Sequence, residues 1–125
     1  MKETHLDEKR SSIEKACKEI IKDFEGILKW KWDDRFEALL AEFTIQTQDK
    51  VTGVLKKHLQ NTWDNKTIKN APDIVKTTSE YFGDLRKGQL LFTTEPENSD
   101  QIFAVWWPWG DGHSVSVRIT IAGCK

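Results

Sequence analysis

Apolar residues between positions 13 and 28 recur at intervals of three and four, which places them along one side of a helix. They are Ile13, Cys17, Ile20, Ile21, Phe24, Ile27 and Leu28. Ser11 followed by Glu14 fits a capping box, so we expect the helix to begin there. Residues 1–10 are then expected to form a frayed tail or a separate earlier turn.

The pattern is ambiguous over residues 28–32, where Leu28, Trp30 and Trp32 alternate with lysines. This alternation is a strand signature, and a helix end followed by a turn fits it equally well. After Asp33 the helical spacing returns and predicts one long helix over about residues 34–63, with a break near residues 44–48 left open. Its apolar positions are Phe36, Leu39, Leu40, Phe43, Val51, Val54, Leu55, Leu59 and Trp63.

A third helix is predicted from the connector around Asn70 to Gly83, because Pro72 suits a first helical turn and glycine suits a helix end. The remaining chain favours strands over residues 89–94, 101–107 and 114–121, which are rich in β-branched and aromatic residues. The fold class predicted from this order is α+β: two or three N-terminal helices packed on a C-terminal three-stranded antiparallel β-meander. With 125 residues, one domain is expected.

Composition and charge narrow the function classes. The net charge of −1 argues against nucleic acid as a partner, because phosphate binding needs a concentrated basic surface. The N-terminus carries no apolar signal-peptide region and no apolar run approaches membrane-spanning length, so a cytoplasmic protein without membrane contact is expected. Cys17 and Cys124 are too few for a disulfide scaffold and are expected to be thiols.

The strongest local feature is the tryptophan-rich stretch that runs from Trp106 to His113. On a strand, Phe103, Val105 and Trp107 share one face and Ile102, Ala104 and Trp106 share the other. The last strand is apolar on one face only, since Ser114, Ser116, Arg118 and Thr120 alternate with valines and isoleucines. Either further segments cover both sheet faces, or one face is an exposed aromatic patch for a partner, because tryptophan is enriched at binding hot spots.

The acidic residues around this stretch favour a cationic partner. Residues 88–112 contain four acids and no lysine or arginine. The candidate binding residues are therefore Phe103, Trp107, Trp109, Asp111, Arg118, Glu95 and Glu97. Arg118 is expected to stack on Trp107 or Phe103.

Catalytic and metal chemistry finds little support in the sequence. His5, His58 and His113 are far apart, and no sequence motif for a nucleophile, a phosphate loop or a metal is present. We predict no catalytic residue, no metal site and no cofactor. Asp111-Gly112-His113 could bring a carboxylate to an imidazole, but turns favour Asp and Gly for backbone reasons alone.

Two function classes follow from these observations. The first is a small non-enzymatic binding or regulatory protein, for example an inhibitor or immunity-type protein, that acts through the Trp-rich hairpin on a cationic protein or on a second copy of itself. The alternative is a small-molecule-binding protein or enzyme with a cleft between the helices and residues 106–113. A deep pocket containing His113 would favour the enzyme, and an exposed patch of Trp107, Trp109 and Phe103 would favour the binding protein.

Overall fold

Helices and strands alternate along the chain in the computed structural model, which describes residues 5–82, 85–94 and 101–121, apart from the side chains of residues 5–9 and 81. The elements are α1 (His5–Ala16), α2 (Lys18–Asp23), β1 (Lys31–Asp33), β2 (Ala38–Thr44), a 3-10 helix (Ile45–Thr47), α3 (Gln48–His58), β3 (Asn61–Trp63), a second 3-10 helix (Ile68–Asn70), α4 (Asp73–Tyr81), β4 (Leu90–Thr93), β5 (Ile102–Pro108) and β6 (Ser114–Ile121). None of the helices in the described ranges is long and apolar enough to cross a bilayer.

All strands of the described residues belong to one antiparallel sheet of six, in the order β1-β2-β6-β5-β4-β3. The longest strands, β2, β5 and β6, lie side by side at its centre, and the two edge strands have only three residues each. Short edges limit unwanted pairing with other chains. Strand β2 is one of these central strands, although it precedes the C-terminal meander by more than 40 residues in the sequence.

The first face of the sheet carries Leu39, Val117 and Ile119 and packs against α1, α2 and α3. The stripe predicted from residue 13 onward supplies the helical side of this core, since Ile13, Cys17, Ile20 and Phe24 are all buried there; Val51 and Leu55 of α3 join them. The helix that was predicted as continuous is divided at Cys17 into α1 and α2.

The second face carries Phe103 and Val105 and packs against α4 and the segments that flank it. Ala71, Val75 and Phe82 cover these side chains, so Phe103 is fully buried and Val105 is 2% exposed. A strand with covered groups on both faces has a nearly continuous apolar sequence, as β5 does. At Phe103 and Val105, therefore, the second face is covered by other segments of the chain and is not an exposed aromatic patch.

The predicted arrangement of N-terminal helices on a three-stranded C-terminal meander is wrong. The meander exists as β4, β5 and β6, but it is half of a sheet of six strands with helices on both faces. The error lies in residues 34–63, predicted as one long helix, which form β2, α3 and β3 with a 3-10 helix between β2 and α3. What remains of the prediction is a small α+β domain.

Several local predictions are confirmed. The three C-terminal strands and α4 lie where the pattern places them. Over residues 28–32, where a strand and a helix end were both left open, only Lys31 and Trp32 belong to β1, and residues 28–30 are neither helix nor strand. The expected start of the first helix at Ser11 is wrong, because α1 begins at His5, within the stretch expected as a frayed tail or a separate turn. Of the apolar positions named for the predicted helices, Ile20, Phe24 and Leu40 are buried and Val54 is half-buried. Val117 and Ile119, on the apolar side of the last strand, are also buried. Gly83, the predicted end of the third helix, and Cys124 lie outside the described residues.

Candidate functional site

The tip of the β5–β6 hairpin, residues 108–113, is exposed to solvent. The Trp109 N–H donates to the Ser114 carbonyl (N···O 2.8 Å), and the Gly112 N–H donates to the Trp109 carbonyl (3.3 Å). Gly112 has a φ of 75°, a left-handed conformation that glycine adopts without steric cost. A turn is therefore present at residues 109–112, and it leaves Trp109 50% exposed.

Asp111 holds this turn together. Its Oδ1 accepts hydrogen bonds from the His113 and Ser114 N–H groups (2.8 and 2.9 Å), and its Oδ2 accepts one from the Ser114 hydroxyl (3.1 Å). These bonds, the one from His113 first, lower the pKa of Asp111 below its ordinary value because they stabilise the ionised carboxylate. The hydrogen bond between Asp111 and His113 thus involves the backbone of His113, which is the turn chemistry expected for Asp and Gly.

Arg118 and Trp107 are already engaged with each other on the second face. The Arg118 guanidinium carbon lies 4.6 Å from the Trp107 ring centroid and 4.9 Å from that of Phe36. Its Nε donates to Asp33 Oδ2 at 2.7 Å, and the two charged side chains are only 16% and 11% exposed. Stacking of Arg118 on Trp107, one of the two predicted partners, is confirmed, and the guanidinium is bound within the fold.

The ionisation of Asp33 follows from this arrangement. Burial raises its pKa, but the hydrogen bond and charge of Arg118, together with the backbone N–H groups of Arg35 and Phe36, outweigh burial, so the pKa lies below its ordinary value. Its Oδ1 also accepts a hydrogen bond from the Arg35 N–H at 2.9 Å, which shapes the turn after β1. Neither Asp33 nor Phe36 was predicted as part of the site, because both precede Arg118 by more than 80 positions and only the sheet brings them together.

An open depression of about 340 Å³ lies beside the exposed tryptophan. Its lining comes from β2 and from the hairpin tip: Glu42, Phe43, Thr44, Trp109, Asp111 and Ser114. Two carboxylates and an indole ring in one depression suit a cationic side chain, which is attracted both to the acids and to the face of the ring. Sequence reasoning missed the β2 residues because it placed them on a helix.

The candidate acids Glu95 and Glu97 lie outside the described residues. The described residues on either side of that segment are Thr94 and Gln101, which are hydrogen-bonded to each other at the end of β5 that is remote from Asp111. Strand β5 has seven residues, so these two ends are about 20 Å apart.

Among the described residues, a carboxylate with basic neighbours and a cleft lie away from the hairpin. Asp23 Oδ2 is 2.7 Å from His58 Nε2 and 3.1 Å from Lys57 Nζ, and these contacts, His58 first, lower the pKa of Asp23. A cleft of about 310 Å³ lies between the second 3-10 helix and α4 and includes Lys69, Lys76 and the buried Ser79. Within the described ranges no three His, Cys, Asp or Glu side chains come together as a metal site.

Comparison with known proteins does not extend these observations to an activity. Searches of family models, curated proteins and solved structures found no match to this chain.

Proposed function

We propose that this domain is a small non-enzymatic binding protein whose interaction surface is the tip of the β5–β6 hairpin. The observation that carries the proposal is Trp109, which is half exposed although it is large and apolar, and which borders a depression that contains Glu42 and Asp111. Hot spots of protein interfaces are enriched in tryptophan, and acids beside it favour a cationic partner surface. The depression is open, and His113, on which the enzyme alternative depends, does not contribute to its lining.

The roles of the candidate residues differ within this proposal. Trp109 contacts the partner directly, and Asp111 holds the turn that presents it. Phe103, Trp107 and Arg118 support the hairpin from within the second face. Glu95 and Glu97 contribute through the long-range field, which acts on the rate of encounter.

The test of this proposal uses affinity capture from the native source with three tagged proteins: wild type, Trp109→Ala and Ile74→Ala. Ile74 on α4 is 44% exposed and is the matched control for the loss of an exposed apolar side chain. We expect Trp109→Ala to weaken association with the captured protein by about 2 kcal/mol or more, roughly 30-fold, and Ile74→Ala to leave it unchanged. Equal capture by all three proteins would contradict the proposal.

The acids give a second, kinetic expectation. Glu95→Gln with Glu97→Gln should slow association with that partner and flatten its dependence on salt, while the dissociation rate stays the same. Trp109→Ala should instead raise the dissociation rate. Stopped-flow or surface-plasmon measurements at two ionic strengths separate the two effects, and sedimentation of the purified protein shows whether the partner is a second copy of the chain.

A cytoplasmic location is part of the proposal, and the cysteines test it. Cys17 is a buried thiol on the first face. Thiol titration of the unfolded, never-reduced protein should detect two reactive groups, Cys17 and Cys124, as expected in a reducing compartment. A result of zero would mean that a disulfide joins the first helix to the C-terminus, and the cytoplasmic assignment would fail.

A further inference from the structure

The outer edge of β2 is only partly covered by β1. Lys31, Trp32 and Asp33 pair with Leu40, Leu39 and Ala38, so β1 stops opposite Leu40. The preceding chain turns away toward α2. The Leu28 N–H donates to the Phe24 carbonyl, and the Trp30 ring packs edge-on against the Phe24 ring at 5.6 Å. Within the described residues, no strand pairs with the outer side of residues 41–44.

The hydrogen-bond pattern shows which backbone groups this leaves without a strand partner. In an antiparallel ladder, successive residues direct their N–H and C=O groups to opposite sides. The Ile45 N–H donates to the His113 carbonyl at 2.8 Å, so Ile45, and with it Phe43, faces β6. The N–H and C=O of Glu42 therefore point outward, toward the uncovered side, and the Glu42 side chain is exposed.

The two faces of this edge differ in chemistry. Glu42 lies on the second face with Lys31, whose Nζ is 3.5 Å from Glu42 Oε1, and it lines the depression with Trp109 and Asp111. Phe43 lies on the first face, half-buried, with its ring centroid 5.3 Å from that of Trp106. An added strand would therefore place one side chain beside carboxylates and an indole, and the next beside apolar rings.

We propose that residues 41–44 of β2 form a strand-addition site for an extended segment of a partner protein that alternates basic and apolar side chains. This inference rests on the proposed function and gives it a mode of binding: main-chain bonds to Glu42 supply affinity, and alternate side chains supply specificity. Charge complementarity selects this occupant over a second copy, because pairing two identical β2 edges would bring the two Glu42 carboxylates together. Within the chain, Lys31 on the neighbouring strand β1 already forms an ion pair with Glu42, which is the type of contact expected from a basic side chain of the added strand.

Amide hydrogen exchange followed by NMR tests the site directly. The probe is a blocked peptide of alternating valine and lysine, about seven residues long, a common strand length. In the free protein, the Glu42 amide should exchange much faster than the Phe43 amide, which is bonded to β6. Saturation with the peptide should slow the Glu42 exchange at least tenfold, on the order expected for a new ladder bond. The same peptide with glutamate in place of lysine should have no effect.

Two variants of Glu42 separate the contribution of its backbone N–H to peptide binding from that of its carboxylate. Glu42→Thr removes the carboxylate and keeps the N–H, and Glu42→Pro also removes the N–H. Proline is tolerated where a strand N–H faces solvent, so Glu42→Pro should still melt as a folded protein. We expect Glu42→Thr to weaken peptide binding several-fold and Glu42→Pro to abolish it. Equal binding by both variants would overturn strand addition, as would the absence of peptide binding at millimolar concentration.

The remaining outcomes distinguish this inference from the proposed function. A peptide that Trp109→Ala releases, but that leaves the Glu42 exchange unchanged, would overturn strand addition and leave the hairpin-tip surface standing. A peptide that protects Glu42 and is indifferent to Trp109→Ala would support strand addition and contradict the role of Trp109. Glu42 protection that rises with protein concentration in the absence of peptide would identify a second copy as the occupant and overturn the partner assignment.

Discussion

Trp106→Ala is expected to lower the free energy of unfolding by about 3–5 kcal/mol, a large part of the stability of a small domain. Trp106 is 7% exposed and lies at the centre of the first face, with ring centroids 5.3 Å from Phe43 and 6.3 Å from Phe92. Its truncation leaves a cavity between β2 and β4 that the surrounding backbone, held by ladders on both sides, cannot fill. Urea denaturation followed by circular dichroism measures the loss.

The matched control is Trp109→Ala, three residues along the same hairpin. Because Trp109 is 50% exposed and belongs to neither core, its truncation should change the unfolding free energy by no more than about 0.5 kcal/mol. Trp107→Ala should fall between the two, since Trp107 is half-buried and contacts Phe36 and Arg118. A loss of several kcal/mol in Trp109→Ala would show that this side chain belongs to the core, and the interaction surface proposed here would have to be abandoned.

Arg118→Met is expected to destabilise the protein by roughly 3 kcal/mol, because it leaves the Asp33 carboxylate largely buried without its counter-charge. Asp33→Asn should also destabilise, although the amide oxygen can still accept the hydrogen bond from the Arg35 N–H. In the double variant no charge remains to be compensated. Its cost should fall short of the sum of the single variants by more than about 1 kcal/mol, which chemical denaturation of all four proteins measures.

The exposed pair of Lys31 and Glu42 is the control for this cycle. Their side chains are 65% and 43% exposed, so Lys31→Met should cost no more than about 0.5 kcal/mol. Additive effects of the Arg118 and Asp33 substitutions would contradict the assignment of a coupled buried pair.

The lowered pKa of Asp33 determines how its contribution to stability changes with pH. Its pKa in the folded protein lies below that of the unfolded chain, about 3.9, so the unfolded state binds the proton first as the pH falls. The stabilisation from Asp33 is therefore complete above about pH 4 and is lost as the pH falls through the folded pKa. Asp33→Asn should reduce the steepness of acid unfolding below pH 4 and leave the pH dependence near neutrality unchanged.

The fold was predictable where one face of an element is polar. The stripe of α1 and α2, the amphipathic α4 and the alternating β6 each contrast a buried side with a solvated one, so their periods are legible. Strand β2 has no such contrast, because both its faces are covered near Ala38 and Leu39. A short, uniformly apolar strand and a buried helix then have the same pattern, and the spacing of Leu39, Leu40 and Phe43 favoured the helix.

The candidate site divides in the same way. The sequence limited the stacking partners of Arg118 to Trp107 or Phe103 and assigned Phe103 and Val105 to a common face, because a two-residue period determines which side chains share a side. It could not show that α4 covers Phe103, or that Asp33 neutralises Arg118 from 85 residues away. Those contacts depend on the order of strands in the sheet, which the local pattern does not encode.

Hydrophobic period and turn chemistry, the information carried by near neighbours in the chain, thus determined the C-terminal strands, the stripe of the first helices and the tip that presents Trp109. Tertiary structure alone decided that β2 lies beside β6 and that Glu42 joins Asp111 and Trp109 in one depression. The physical reason is that strand pairing is a long-range choice: backbone groups on any strand can bond to any other, and only the joint burial of both sheet faces selects the partner.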